Sequence, residues 1–476
     1  MPEKLTKRSD DYARWYTDVI QRAELADYAP VKGCMVFRPY GFALWESIKD
    51  VLDRMIKATG HSNVYFPMLI PESLFKKEAQ HVDGFAPECA VVTHGGGKKL
   101  EEPLYLRPTS ETIIWTMASK WISSYRDLPF LINQWANIIR WEMRPRLFLR
   151  TTEFLWQEGH TAHADAQEAQ QECSQILSMY RGLVEDYLAI PIVVGRKSEA
   201  EKFAGAENTY TMEAMTQDKR AIQAGTVHYF GERFAKAFDV KYQGKNGQLN
   251  FVSTTSWGIS SRIIGTLIMV HSDDQGLVLP PRIAPTQVVI VPIWKSDDQR
   301  RAVMDVAGKL KEMLNAKFCT KIDAREEYSP GWKFNEWELK GVPVRVEIGP
   351  KDVKNHQVVL ARRDSGEKSS VPQESVLKTV AEMLQDIQAS LFRRAGEFMD
   401  ANTHRVDSYE EFKSTIGEPG GFLSAHWCGD AACELAVKED TAATIRCIPL
   451  DGKPESGQCV YCGKPSERRA VFAKAY

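Results

Sequence analysis

The sequence predicts a multidomain protein that mixes α/β with α+β architecture, and three observations carry that expectation. The chain has 476 residues, more than a single hydrophobic core organises. Its patterning changes at the proline-rich stretch VLPPRIAPTQ, residues 278–287, from hairpins interleaved with helices to a regular alternation of strands and helices. Five of its nine cysteines, Cys428, Cys433, Cys447, Cys459 and Cys462, then crowd the tail. The expected divisions are 1–283, 284–398 and a small α/β unit over 399–476.

Taken in order, GFALWESIKDVLDRMIKAT at 41–59 places Leu44, Ile48, Val51, Leu52, Met55 and Ile56 on one helical face, and Gly60 stops the helix. NVYFPMLIP at 63–71 is a short strand whose Pro67 puts it at a sheet edge or a subunit boundary. Residues 89–112 form a hairpin with a glycine tip, THGGGKK. That tip lacks both the spacing and the following Ser or Thr of a phosphate loop. A helix follows from Glu111 to about Ser123, with Thr109 or Ser110 as its cap.

Two apolar extended segments, 131–142 and 149–159, are joined by MRPRLF, so an antiparallel hairpin with an arginine-rich tip is expected. A long helix over 165–189 comes next, and residues 278–287 form a linker. Beyond it the order is strand 287–293, helix 297–316, strand 318–323, helix 331–340, strand 343–348, hairpin 357–372 and helix 374–399.

Composition excludes several classes. Hydrophobic residues at 43% and charged residues at 26% describe a soluble globular chain, and no apolar run is long enough to span a bilayer, so no membrane is expected. The N-terminal stretch MPEKLTKRSDDYARWYTD has no apolar core of a signal peptide, and the expected location is cytoplasmic. A net charge of -2 leaves no overall basic footprint, so nucleic acid would have to bind on local patches.

The chemistry concentrates in RWEMRPRLFLRTTEFLWQE at 140–158, where Arg140, Arg144, Arg146 and Arg150 stand beside Glu142 and Glu153. Guanidinium forks match phosphate oxygens, and carboxylates take Mg²⁺ or an amino group. Alone, the stretch reads equally well as surface ion pairs. HTAH at 160–163 lacks the third ligand and the helix that would make a zinc site. In the tail, Cys428 and Cys433 are spaced C-x4-C and Cys459 and Cys462 C-x2-C, a set that can supply four thiolates to tetrahedral Zn²⁺. Cys447, between apolar neighbours, reads as a buried thiol.

Together, YLRPTSET at 105–112, RWEMRP at 140–145 and WGISSRIIG at 257–265 resemble the class II aminoacyl-tRNA synthetases. With FLWQEGHTAH at 154–163 in the same order, the chain resembles the prolyl-tRNA synthetase family in its short form, over essentially its whole length. The span between Arg150 and Gly258 is too short for the long-form editing insertion.

The resemblance implies an antiparallel-sheet catalytic domain, an α/β anticodon-binding domain and a C-terminal zinc-binding domain. It implies activation of L-proline by ATP with Mg²⁺, transfer of the prolyl group to the terminal ribose of tRNA(Pro), and a homodimer whose interface is built by the helix ending at Gly60 and by Pro67. Arg140, Glu142 and Arg262 take the catalytic roles. Arg140, Glu142, Arg150, Gln223, Thr226, Ser260 and Arg262 face ATP, with Glu142, Glu153 and Gln223 nearest the metal. Thr109, Glu111, Arg140, Trp156, Glu158, His160, Phe203 and His228 face proline. Cys428, Cys433, Cys459 and Cys462 hold a structural zinc, and Glu347, Lys351, Arg362 and Arg363 are candidates for the anticodon. The terminal AVFAKAY packs toward the catalytic domain.

One departure is Ser261, where many class II enzymes carry a glutamate before the third-motif arginine. Two alternatives remain open. A relative charging threonine or serine would need a polar or metal-centred pocket, and a synthetase-like protein without catalysis would have lost its phosphate-binding arginines.

Overall fold

The computed structural model describes residues 5–79 and 89–476. Helix α1, Pro39–Ala58, opens on a proline, tolerated there because a first-turn N–H has no helical partner. It buries Leu44, Ile48, Val51, Leu52 and Ile56, and Gly60 leaves it at φ +89°. The strands Val91–Gly95 and Lys98–Leu106 form the expected hairpin, turning on Gly96 and Gly97, both at positive φ as a tight two-residue turn requires.

Helix α2, Glu111–Trp121, departs from expectation at its cap: Ser110 occupies the position without capping the helix. Its hydroxyl instead donates to Glu158 at 2.5 Å, while the Thr109 hydroxyl donates to Glu111. The cap residue is spent on the site.

Six strands form the centre of the molecule: β1 (Phe130–Ile139), β2 (Glu153–His163), β3 (Val193–Arg196), β4 (Asn208–Met215), β5 (Ala221–Gly231) and β6 (Ser253–Ser260). Their spatial order is β3-β4-β5-β6-β2-β1, antiparallel throughout. Regular pairing of β1 with β2 stops at Ile139 and Glu153, so the loop between them, 140–152, is longer than the six-residue tip expected. The reason is apolar: Leu147, Phe148 and Leu149 turn inward and are buried, with Phe148 held at φ +60°. That plug anchors the arginine-rich loop to the core.

Along β2, Phe154, Trp156, Glu158 and His160 share one face, as period-two alternation requires. Gly159 lies on the other, where an added Cβ would stand 2.1 Å from the Trp257 indole. Helix α3, Ala166–Gly182, capped by Asp165, covers this second face; past Gly182 the expected α-helix widens into a π-turn over Leu183–Tyr187. Helix α4, Arg262–His271, leaves the end of β6.

Residues 278–287 are no free linker. Val278, Leu279, Ile283 and Ala284 are buried against the preceding and following units, because their apolar side chains gain more from burial than proline-rich composition suggests. The next unit is a five-stranded sheet, Thr320–Ile322, Val288–Pro292, Val344–Ile348, Gln357–Arg362 and Lys368–Pro372 in spatial order. Its first three strands are parallel and its last two antiparallel, and helices Asp297–Asn315 and Val376–Ala401 help close its core.

The tail does not fold apart from the rest. Its strand β7, Thr444–Pro449, pairs with β3 through Ile448 and Pro449, and four tail strands at this edge with Ser62–Asn63 beside β1 bring the six-stranded sheet to eleven. Helix α5, Ala431–Thr441, lies beside β7. The chain end is ordered: Ala475 bridges to Ala221, and the Tyr476 ring lies under Arg146 and Arg220 with its hydroxyl on Asp218. Among the described residues no helix is long and apolar enough to cross a membrane.

Candidate active site

The face shared by β2, β5 and β6 opens into a cavity of about 410 Å³. All fourteen residues assigned above to proline or ATP line it: Thr109, Glu111, Arg140, Glu142, Arg150, Trp156, Glu158, His160, Phe203, Gln223, Thr226, His228, Ser260 and Arg262. Register explains the convergence. His160, Glu158 and Trp156 stand opposite Ser256, Gly258 and Ser260, and His228 and Thr226 lie opposite Ser256 and Gly258 on the next strand. Alternate residues of three neighbouring strands therefore share one wall.

One end is a saturated carboxylate network. Glu158 is buried, and its Oε1 accepts from Ser110 and Gln134 while its Oε2 lies 3.0 Å from His160 Nε2. Burial alone would raise the Glu158 pKa, but the His160 bond and charge, with Ser110 and Gln134, bring it below the usual carboxylate value. For His160 burial works downward, and the Glu158 bond with the charges of Glu111 and Glu158 outweighs it, so the imidazole is raised above 6.5. Glu111, also buried, accepts from Thr109 through Oε2, and its Oε1 has Ser256 only at 3.4 Å.

His228 is different. Burial first, then the charges of His160 and Arg140, hold its pKa down to about 3, so it is a neutral ring at physiological pH. Its Nδ1 pairs with Thr209, and its face lies 4.7 Å from the Phe203 ring centroid. Phe203, His228 and Trp156 thus give this end uncharged walls.

The other end is cationic. Arg140 Nε donates to Pro108 O at 2.9 Å and Arg262 Nε to Leu149 O at 3.0 Å, each using one of five guanidinium donors. Burial, followed by repulsion from Arg140 and Arg150, lowers the Arg262 pKa to about 10, still charged near neutrality. Arg150 meets Glu142 only at 3.7 Å and is more than half exposed, a weak pair.

Two sequence assignments change. Glu153 does not line the cavity; its carboxylate accepts from Asn137 at 2.8 Å, because the strand restarts one residue too early to aim it inward. Arg146, expected at an open tip, stacks on Tyr476. Lys197, Thr209 and Ser256 line the cavity without having been singled out. Ser256 was detectable, since it lies two and four residues before Gly258 and Ser260 on the same strand face; Lys197 carries no local signal.

In the tail, the Sγ atoms of Cys428, Cys433, Cys459 and Cys462 lie within 4.8 Å of one another, with Cys428 at 3.8 Å from Cys433 and 3.7 Å from Cys462. Four thiolates about 2.3 Å from a central Zn²⁺ in a tetrahedron stand about 3.8 Å apart, so the spacing fits that ion. Cys447 lies outside the group, buried against Gly195. His160 and His163 do not converge on a metal: their side chains pair with Glu158 and Thr161.

Comparison with known proteins agrees with this layout. Residues 93–271 match the tRNA synthetase class II core domain (G, H, P, S and T), 287–383 the anticodon binding domain, and 409–476 the prolyl-tRNA synthetase C-terminal family. The chain is 55% identical over 485 aligned residues to the proline–tRNA ligase of Prosthecochloris aestuarii, with all of both chains covered. The chain belongs to the proline–tRNA ligase family. The relative from Amoebophilus asiaticus is 53% identical with both chains fully covered, and proline–tRNA ligase 2 of Clostridioides difficile is 54% identical, covering all of this chain and 98% of its own. The chain is accordingly an aminoacyl-tRNA ligase of class II.

Within the segment matching the anticodon binding domain, a second cavity is lined by Phe334, Trp337, Arg345, Arg362, Arg363 and Lys368, among others. Of the four anticodon candidates it includes Arg362 and Arg363, not Glu347 or Lys351. Arg363 is mostly engaged elsewhere: it grips Asp273, just past the end of helix α4, at 2.6 and 2.8 Å, which ties its unit to the preceding one.

Proposed function

We propose that the cavity is where L-proline and ATP form prolyl-adenylate and pyrophosphate, and that the prolyl group then passes to the terminal ribose of tRNA(Pro). The observation that carries this reading is the polarity of the cavity: carboxylates and flat uncharged rings at one end, three arginines at the other. Proline brings a secondary ammonium, a carboxylate and an apolar ring. Glu158 has its oxygens committed, so Glu111, with Thr109, accepts the ammonium, and Trp156, Phe203 and His228 enclose the ring.

Arg140 stands within 5.7 Å of the Trp156 ring centroid and also repels Arg262, so it lies where proline's carboxylate would meet the α-phosphate. The carboxylate oxygen bonds to the α-phosphorus as the bond to the pyrophosphate oxygen breaks. Arg140, Arg150 and Arg262 neutralise charge that spreads over the phosphoryl oxygens, and no protein nucleophile is needed. Glu142 and Gln223 are the residues that would hold Mg²⁺, which would offset the negative charge of the phosphates. Ser261 is buried and its N–H bonds Leu155 O, so that position offers no carboxylate to the metal.

ATP–pyrophosphate exchange with each amino acid in turn tests the reading. Proline alone should drive exchange; exchange driven by threonine or serine instead would overturn the assignment of the pocket.

The same reading gives the four-cysteine group a structural Zn²⁺. It should yield one zinc per chain by elemental analysis, and Cys459→Ser should lower both zinc content and the unfolding temperature. Exposed Phe42 on α1, and exposed Tyr65 and Leu69 in the segment after it, favour a homodimer, which sedimentation would reveal as a doubled mass. The second cavity, with aromatic and cationic lining, suits splayed anticodon bases. Arg345→Ala should weaken tRNA(Pro) charging while leaving pyrophosphate exchange unchanged.

A further inference from the structure

The tail reaches the nucleotide end of the cavity through one buried ion cluster. Glu213 on β4 is fully buried and carries two cations on one carboxylate. Oε1 accepts from Lys197 Nζ at 2.9 Å and from Thr211 at 2.7 Å, and Oε2 accepts from Arg446 Nε at 3.0 Å. Lys197 lines the catalytic cavity, and Glu213 stands opposite Gln223, which also lines it. Arg446 comes from β7 in the tail.

Arg446 is placed with some specificity. The register of β7 against Arg469–Ala473 shifts between Ile445 and Cys447, so Arg446 is the extra residue of a bulge, a device that re-aims a side chain out of the regular alternation. Its Nη1 is steadied by Thr444 at 3.0 Å. The charges matter as a sum. Lys197, Glu213 and Arg446 together carry one net positive charge beside Arg262, whose own field includes both Glu213 and Arg446.

We propose that Arg446 is a positioning residue for the nucleotide half of the reaction: by sharing Glu213 it keeps Lys197 from being wholly neutralised and sustains the positive potential at the phosphate end. It does not itself line the cavity. The inference rests on the assignment of ATP to the Arg262 end. It makes the tail a contributor to ATP binding rather than an appended module.

A purely stapling role predicts something else. If Arg446 only fastens the tail, removing both Arg446 and Glu213 should be as damaging as removing Arg446 alone. If charge sharing is the point, the double change leaves Lys197 unpaired and restores the net charge.

The experiment is pyrophosphate exchange on the full-length chain, with separate KM values for ATP and proline. Arg446→Met should raise KM for ATP about tenfold, the effect of losing a charged hydrogen-bond partner, while KM for proline changes less than about twofold. Arg446→Lys and the double variant Glu213→Gln/Arg446→Met should each return KM for ATP to within about threefold of the parent. Should Arg446→Met fail to fold, Arg446→Gln carries the same expectation. An unchanged KM for ATP, an equal rise in both KM values, or a double variant no better than the single one would overturn the proposal. Arg262→Lys is the control for the underlying reading: if it raises KM for ATP and Arg446→Met does not, this inference alone fails, and if neither does, the ATP assignment fails with it.

Discussion

The two ends of the cavity compensate their charges in opposite ways. Glu158 is surrounded by three partners within 3.0 Å and needs nothing from a substrate. Arg262 instead has its pKa lowered by burial and by the neighbouring charges of Arg140 and Arg150, and Arg150 meets Glu142 only at 3.7 Å. A saturated network is rigid and selects by shape, whereas unsatisfied like charges hold energy that an incoming anion releases. On the proposed reading, discrimination for the amino acid and stabilisation of the transferring phosphoryl group are thus separated by a few strand positions on one sheet.

The sharpest way to break this contrast is Arg140→Ala, the residue shared by both ends. It should cost about 3 kcal/mol of transition-state stabilisation in kcat/KM for pyrophosphate exchange, comparable to removing one preorganised donor at an oxyanion. Near-normal exchange would remove Arg140 from the mechanism.

Next in size is Glu111→Gln. Loss of a buried carboxylate facing an ammonium should raise KM for proline by about 1.5–3 kcal/mol equivalent while KM for ATP stays put. An equal effect from Glu158→Gln would show that both carboxylates, not Glu111 alone, receive the ammonium.

Glu158→Gln should act chiefly on stability, by about 1–3 kcal/mol, because it leaves His160 buried without its partner. The pH dependence has a definite sign. The His160 pKa is raised above 6.5, so its contribution is fully present below that value and is lost as pH rises through the folded pKa. The Glu158 pKa is lowered, so its contribution is present above the ordinary carboxylate value of 4.5 and is lost as pH falls through the folded one. Denaturant unfolding of the parent should weaken at both flanks, and the Glu158→Gln variant should flatten both.

The smallest expected effect is on salt. Raising ionic strength should increase KM for ATP severalfold through screening of the exposed Arg150 and leave KM for proline nearly unchanged, since Glu111 is buried. Matching salt slopes for the two substrates would dissolve the distinction between the ends.

Much of this was legible in residue order. LRPTSE, RWEMRP and GISSR mark the cavity floor, and alternation along FLWQEGH already set Trp156, Glu158 and His160 on one face. Local pattern misjudged what depends on distant packing. The 140–152 loop is longer than its polarity suggests because Leu147, Phe148 and Leu149 find a core, and residues 278–287 are buried for the same reason. Glu153, one register step away from Phe154, points out of the site.

Sequence by itself determined the strand alternation, the glycine turn at Gly96 and Gly97, the four-cysteine set and the arginines, since each depends on neighbours a few residues away. Only the tertiary structure decided that Glu158 is saturated while Glu111 keeps a weakly held oxygen, and that Arg446 from the tail shares Glu213 with Lys197. The physical reason is that charge compensation is summed over everything within a few ångströms in space, and residues 197, 213 and 446 meet only once the sheet has formed.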